Sequence, residues 1–134
     1  MTAKEFMYQP VNVYKRIVVL RERISSLRLS VLPSAIRYDK VLVQTSPTDP
    51  MPECMVRLDE LERELEGQVL EYNRVSEEVY EMICRMPDPD VRVIAVKRYL
   101  SGKSWPAIEE ECHLSLRTIY RLNRTALRFV EGTQ

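Results

Sequence analysis

The sequence predicts an all-α protein, in which a long helical hairpin or coiled coil is followed by a C-terminal helix-turn-helix bundle. Only three of the 134 residues are glycine, whereas strand-rich folds need more glycine for their turns. Apolar residues recur every three or four positions over three stretches of the chain, which is the spacing of one helix face. A proline-rich segment separates the first two stretches, and short breakers divide the third into three runs. Long helices are therefore expected first, and short ones after them.

The first element, residues 1–31, is predicted to be a helix with a heptad seam. Its apolar residues follow one another by alternating steps of four and three, the repeat of a coiled coil. Pro10 occupies a seam position, so the helix is expected to begin there or to kink there. The other seam residues are Phe6, Val13, Ile17, Leu20, Ile24, Leu27 and Val31.

Residues 32–52 are predicted to form a loop. Prolines lie among serine, threonine and aspartate in this segment, a composition through which a helix does not continue. The prolines are Pro33, Pro47, Pro50 and Pro52.

Residues 53–86 are predicted to form one long acidic helix of roughly 50 Å, at about 1.5 Å per residue. This segment has four basic and ten acidic groups, a net charge of −6, whereas residues 1–52 have eight basic and four acidic groups, a net charge of +4. Opposite charges favour an antiparallel hairpin of the two long helices.

A hairpin of two helices has a small core, so we expect it to pair with a second copy as a homodimer, or with another partner. The alternative is that its heptad seam packs only within the chain. The predicted oligomerisation residues are Leu58, Leu61, Leu65, Tyr72, Val75 and Val79.

Residues 88–130 are predicted to form three short helices. Asp88 is suited to cap the first of them, and Ser101-Gly102 ends it. Ser104 precedes Trp105-Pro106, which indicates a cap and the first turn of a second helix. His113-Leu114 follows this second helix as a tight turn.

Ser115 is expected to cap a third helix that runs to about Val130. Helix, short turn and helix form the helix-turn-helix motif, whose second helix enters the DNA major groove. The third helix has an apolar face formed by Ile119, Leu122, Ala126 and Phe129.

Four arginines, here called the arginine stripe, are offset from this apolar face by two residues, or about 200° at 100° per residue. No acidic residue lies between Ser115 and Val130, although a solvated helix face normally mixes both signs. The sequence therefore predicts contacts with phosphates and guanine edges of double-stranded DNA. The predicted DNA-binding residues are Ser115, Arg117, Thr118, Tyr120, Arg121, Arg124 and Arg128, of which the stripe comprises Arg117, Arg121, Arg124 and Arg128.

Residues 98–127 resemble the C-terminal domain of small phage and prophage transcriptional regulators of Gram-positive bacteria (RinA- and ArpU-like), itself similar to region 4 of sigma-70 factors. The N-terminal MTAKEF and the internal segment YDKVLVQTSP also resemble that family. The family usually has alanine and glycine where this chain has Glu109 and His113. The shared residues are Arg98, Tyr99, Leu100, Trp105, Ile108, Leu114, Ser115, Arg117, Thr118, Ile119, Tyr120, Arg121, Ala126 and Leu127.

The resemblance implies a regulator that acts at promoters by positioning RNA polymerase. Two alternatives stay open from the sequence. A phage terminase small subunit also joins a helix-turn-helix to an oligomerising coiled coil, and an adaptor could bind RNA polymerase without contact to bases.

Other classes of protein are disfavoured by the composition. Cys112 beside His113 gives at most two metal ligands, and zinc sites need three or four, so we expect no metal and no cofactor. No nucleophile elbow or glycine-rich loop lies near the single histidine, which predicts that the chain is not an enzyme. Three widely spaced cysteines fit a reducing cytoplasm. No apolar run approaches the length of a membrane span.

Overall fold

The computed structural model describes the backbone of residues 1–30 and 51–133, and the side chains of all of these except residues 51 and 52. Within these ranges the chain is helical and contains no strand, so the all-α prediction is confirmed. The helices are α1 (Ala3–Met7), α2 (Gln9–Ser30), α3 (Met51–Cys84), α4 (Pro89–Ala95), α5 (Trp105–Cys112) and α6 (Leu116–Thr133), and a π-helical turn (Val96–Leu100) follows α4.

The predicted N-terminal helix is divided at Tyr8 into α1 and α2. A capping box fixes the start of α1: the Thr2 hydroxyl accepts from the Glu5 amide at 3.1 Å, and the Glu5 carboxylate accepts from the Thr2 amide at 2.9 Å. The break expected at Pro10 is present, because α2 begins at Gln9 and Pro10 lies in its first turn, where a missing amide hydrogen costs nothing.

The long helix α3 differs slightly from its predicted bounds of 53–86. It begins at Met51, so Pro52 lies in the first turn of a helix and not in the predicted loop. It ends at Cys84, and Met86 follows the helix as a buried residue. The remainder of the predicted loop, and Val31, lie outside the described residues.

The chain divides into two compact units. The first contains Met1–Tyr14 and Leu70–Gln134, and the second is the continuous segment Lys15–Val69. The first unit has one core, to which α1 contributes together with the C-terminal helices. This core is formed by Ala3, Met7, Val79, Ile83, Met86, Val91, Ile94, Ala95, Tyr99, Ile108, Ile119, Leu122, Ala126 and Val130. A role for α1 in this core was not predicted from the sequence.

In the second unit, α2 and α3 form the expected antiparallel hairpin. Leu20, Ile24 and Leu27 of α2 pack against Leu61 of α3, with Leu58 and Leu65 partly buried beside them. The direction follows from two hydrogen bonds, because Arg16 donates to Gln68 at 3.2 Å and Arg28 donates to Glu62 at 2.8 Å. The second bond also joins the basic helix to the acidic one, as the charge pattern predicted.

The six residues predicted for oligomerisation all have neighbours within a single chain. In the second unit, the three leucines pack in the hairpin core. In the first unit, Val75 and Val79 are fully buried, and the ring of Tyr72 lies 6.2 Å from that of Tyr14. The structure therefore uses this seam for packing inside the chain, and a homodimer stays a prediction.

Candidate nucleic-acid interface

Local caps determine where the helices of the C-terminal part begin. The Asp88 carboxylate accepts from the Asp90 amide at 2.9 Å, and Pro89 is the first residue of α4. The Ser104 hydroxyl accepts from the Ala107 amide at 3.3 Å and caps α5. Both starts were predicted from the sequence, because a cap depends on residues only two or three positions apart.

A turn of three residues, His113 to Ser115, joins α5 to α6. His113 has the left-handed conformation, with φ 56° and ψ 34°, and its amide donates to the Glu109 carbonyl at 2.9 Å. The Ser115 hydroxyl accepts from the Thr118 amide at 3.3 Å and caps α6. The turn thus has the conformation expected of a glycine, although histidine is among the residues that tolerate it better than most.

The two faces of α6 differ sharply. Its inner face is buried through Ile119, Leu122, Ala126 and Val130, while Phe129, predicted for this face, is half-buried. All four arginines of the stripe are exposed. At about 100° and 1.5 Å per residue, the stripe occupies an arc of roughly 60° and a length of roughly 16 Å on the side opposite the core.

None of the four stripe arginines has a partner within the described residues. No hydrogen bond or ion pair involves the side chains of Arg117, Arg121, Arg124 or Arg128 in this part of the chain. The other basic groups between residues 88 and 115 are all engaged. Arg92 donates to the Met86 carbonyl, Lys97 and Lys103 contact Glu111, and Arg98 donates to Tyr8 and to the Lys103 carbonyl.

The remaining predicted DNA contacts have neighbours within the protein. The rings of Tyr120 and Trp105 meet edge to face, with centroids 5.5 Å apart, and Tyr120 stays 40% exposed. The Ser115 and Thr118 hydroxyls lie 3.0 Å apart, within hydrogen-bond distance. A hydroxyl can both donate and accept, so each keeps capacity for a further contact at the start of α6.

Arg98 is at the centre of a group of contacts that the sequence did not reveal. Its Nε and Nη2 atoms donate to the Tyr8 hydroxyl at 3.1 and 3.0 Å, and its Nη1 donates to the Lys103 carbonyl at 2.9 Å. Its guanidinium carbon lies 4.3 Å from the centroid of the Trp105 ring, a cation–π contact. Nothing in the sequence linked Arg98 to Tyr8, because the two residues are 90 positions apart.

The next residue, Tyr99, is one of the core residues and links the same region to α6. Its hydroxyl donates to the Asn123 side-chain oxygen, and its ring lies edge to face with that of Tyr8 at 5.0 Å. Burial raises the pKa of Tyr99 well above its usual range, with a smaller contribution from Tyr8. The phenol therefore stays protonated and can keep donating to Asn123.

The acidic run of α5 is partly neutralised. The carboxylate of Glu111 accepts from Lys103 and, at 3.0 Å, from Lys97. These hydrogen bonds, that from Lys103 first, hold the pKa of Glu111 below its usual value, and the bond to Glu111 raises the pKa of Lys97. Through their bonds to Glu111, the two lysines also hold in place the segment between the π-helical turn and α5.

Metal binding has no support among the described residues, since they contain no group of three or more histidine, cysteine, aspartate or glutamate side chains that could hold an ion. The three cysteines are free thiols. Across residues 1–30 and 51–133, no helix combines the length and the apolar character that a membrane crossing requires.

Comparison of the chain with protein-family models, with curated proteins and with solved structures gives no match. The features of the molecule that bear on its function are therefore the geometry of α5, the turn and α6, and the charges that this geometry leaves exposed.

Proposed function

We propose that this protein is a sequence-specific DNA-binding transcriptional regulator, in which α6 is the recognition helix. The observation that carries the proposal is the arginine stripe: four exposed arginines without partners among the described residues, on one side of a helix that follows a three-residue turn. In a helix-turn-helix the second helix lies in the major groove. Guanidinium groups are suited both to phosphates and to the O6 and N7 edge of guanine.

The three arginines of α3 form ion pairs with carboxylates on the same helix. On α3, Arg57 pairs with Glu60 at 3.2 Å, Arg63 with Asp59 at 3.0 Å, and Arg74 with Glu71 and Glu78. These are the ordinary pairs of a surface helix, three or four residues apart. In α6 the first acidic residue is Glu131, three residues after Arg128. No ion pair joins these two among the described residues, so the charge of all four arginines remains available to an anionic partner.

The proposed target class is promoter DNA of phage or prophage genes, with RNA polymerase as a second partner. Support for this step comes from the resemblance to small phage regulators and to sigma-70 region 4, which extends over residues 98–127. The recognition helix would contact bases with Arg117 and Arg121, near its N-terminus, and phosphates with Arg124 and Arg128. Ser115 and Thr118 would contact phosphate at the start of α6.

The test is selection of bound duplexes from a random pool, followed by titration of the selected and a scrambled duplex at several salt concentrations. Loss of a bidentate guanine contact costs roughly 1–3 kcal/mol and acts at one base. Arg121→Ala should therefore lower the ratio of specific to nonspecific affinity. Arg128→Ala should weaken both duplexes alike and reduce the salt slope by about one.

Arg63→Ala is the matched control, because it removes the same charge from an exposed helix position outside α6. It should leave both affinities near those of the wild type. If Arg117→Ala and Arg121→Ala each behave like Arg128→Ala, the stripe binds DNA without reading sequence. Absence of DNA binding would favour the adaptor, and a ring of many subunits would favour the terminase small subunit.

A further inference from the structure

We propose that Tyr8 is a positioning residue for the DNA-reading helix, although it belongs to the opposite end of the chain. Tyr8 lies between α1 and α2, and its side chain contacts two adjacent residues of the π-helical turn, Arg98 and Tyr99. Each of these residues leads to α6 by a separate route. The inference rests on the proposed function of α6 and concerns what holds that helix in place.

The first route runs through Arg98 and Trp105. Two guanidinium nitrogens donate to the Tyr8 hydroxyl, which fixes the plane of the guanidinium group, since its donors form a rigid fork. The group then lies 4.3 Å from the centroid of the Trp105 ring, and that ring meets Tyr120 edge to face. Tyr120 directly precedes Arg121, the residue proposed to contact bases.

The second route runs through Tyr99. Its ring packs against that of Tyr8, and its hydroxyl donates to Asn123, which directly precedes Arg124. The two routes therefore reach α6 three residues apart, nearly one helical turn. Two attachments at this spacing restrict both rotation and sliding of the helix, and these are the movements that would shift the arginines relative to bases.

The hydrogen bonds and the burial of Arg98 favour this role inside the protein, and not a contact with DNA. Three of its five N–H groups are used inside the protein, and its side chain is half-buried. The acceptors are a phenol and a main-chain carbonyl, so no carboxylate competes for the guanidinium group. Removing the Tyr8 hydroxyl alone should thus cost Arg98 two of its three hydrogen bonds, while the packing of the tyrosine ring stays intact.

The experiment compares Tyr8→Phe with Tyr14→Phe. Both replacements remove one phenolic hydroxyl, but Tyr14 is 51% exposed, its ring lies beside that of Tyr72, and its hydroxyl makes no hydrogen bond among the described residues. Trp105 is the single tryptophan of the chain, so intrinsic tryptophan fluorescence reports the site directly and needs no DNA. A guanidinium charge beside an indole shifts its emission, and Tyr8→Phe should therefore move the emission maximum, whereas Tyr14→Phe should not.

The second measurement is the ratio of specific to nonspecific DNA affinity at a temperature at which both variants are folded. Tyr8→Phe should lower this ratio roughly three- to tenfold, by loss of hydrogen bonds to a charged group that orients the site. Tyr14→Phe should leave it unchanged. An unaltered ratio in Tyr8→Phe overturns the proposal, and so does an unaltered emission maximum.

A wild-type chain that binds all duplexes alike would overturn the proposed function instead. In that case the fluorescence comparison would still decide whether Tyr8 holds Arg98 against Trp105. A failure of the inference about Tyr8 can therefore be distinguished from a failure of the proposed function.

Discussion

The indole of Trp105 and the phenol of Tyr120 meet edge to face, with ring centroids 5.5 Å apart and ring planes at 81°. Trp105 is the first residue of α5, and Tyr120 lies in the second turn of α6. This contact therefore joins the two helices on either side of the turn, at positions far from the His113 cap. Aromatic pairs in this arrangement are attractive because the positive ring edge faces the negative ring face.

Tyr120→Leu should lower the free energy of unfolding by about 1 kcal/mol, the contribution of an aromatic pair beyond burial. Tyr120→Phe retains the ring and should be as stable as the wild type. Urea unfolding followed by circular dichroism measures both. Equal stability of the leucine and phenylalanine variants would show that the ring pair contributes nothing. A loss of DNA affinity in Tyr120→Phe would assign the hydroxyl to DNA.

Glu111 should contribute to stability in a pH-dependent way. Lys103 and Lys97 lower the pKa of its carboxyl group in the folded chain, so its stabilising effect is present above the ordinary glutamate pKa and is lost as the pH falls through the folded value. The raised pKa of Lys97 has the opposite sign: its effect is present below the ordinary lysine pKa and is lost as the pH rises through the folded value.

Glu111→Gln should therefore destabilise the chain at neutral pH, and the difference from wild type should vanish in acid. Urea unfolding at both pH values measures it. Glu110→Gln is the control, because Glu110 is exposed and makes no ion pair among the described residues. If Glu111→Gln is still less stable than the wild type at a pH at which the wild-type carboxylate is protonated, the loss of stability comes from packing and not from charge.

His113 should be replaceable by glycine with a gain in stability. Its φ of 56° lies in the left-handed region, which costs a residue with a Cβ atom roughly 1 kcal/mol. We expect His113→Gly to raise the free energy of unfolding by about 0.5–1 kcal/mol, and His113→Val to lower it by more. Gly102 also has a left-handed conformation, with φ 67°. Gly102→Ala is the opposite replacement and should lower the free energy of unfolding. A less stable His113→Gly variant would show that the imidazole makes a stabilising contact.

Leu61→Ala should lower the free energy of unfolding by about 2–4 kcal/mol, because Leu61 is buried in the hairpin core. Leu70→Ala is matched in residue type and helix, but Leu70 is 71% exposed, so it should change stability little.

Light scattering on the same variants tests the predicted homodimer. A wild-type dimer that becomes monomeric in folded Leu61→Ala would place the interface on the seam, contrary to its packing within the chain.

The parts of this fold that depend on near neighbours were predictable from the sequence. Asp88, Ser104 and Ser115 each cap a helix through an amide two or three residues away, and the starts of the C-terminal helices followed from them. The third helix ends at Thr133, beyond the predicted end near Val130. The tight turn at His113-Leu114 was also predicted, and His113 takes its left-handed position. The two faces of α6 followed from its period alone.

The parts that depend on distant residues were not predictable. The heptad pattern of residues 1–31 predicted a break near Pro10, but it gave no sign that Ala3 and Met7 enter the core of the first unit. The spacing of apolar residues shows that a helix face will be buried, but it does not show which other helix will pack against that face. The π-helical turn was missed for a similar reason, because the contacts of Arg98 and Tyr99 with Tyr8 are made across 90 residues or more.

The arrangement of Tyr8 beside Arg98 has a consequence for biosynthesis. The first unit combines Met1–Tyr14 with Leu70–Gln134, so Met1–Tyr14 leave the ribosome well before their packing partners in Leu70–Gln134 are made. Closing so long a loop costs entropy that is repaid only when both segments are present. The continuous segment Lys15–Val69 has no such delay. We therefore expect the hairpin to form before the arginine-bearing unit, which becomes competent only after Leu70–Gln134 has left the ribosome.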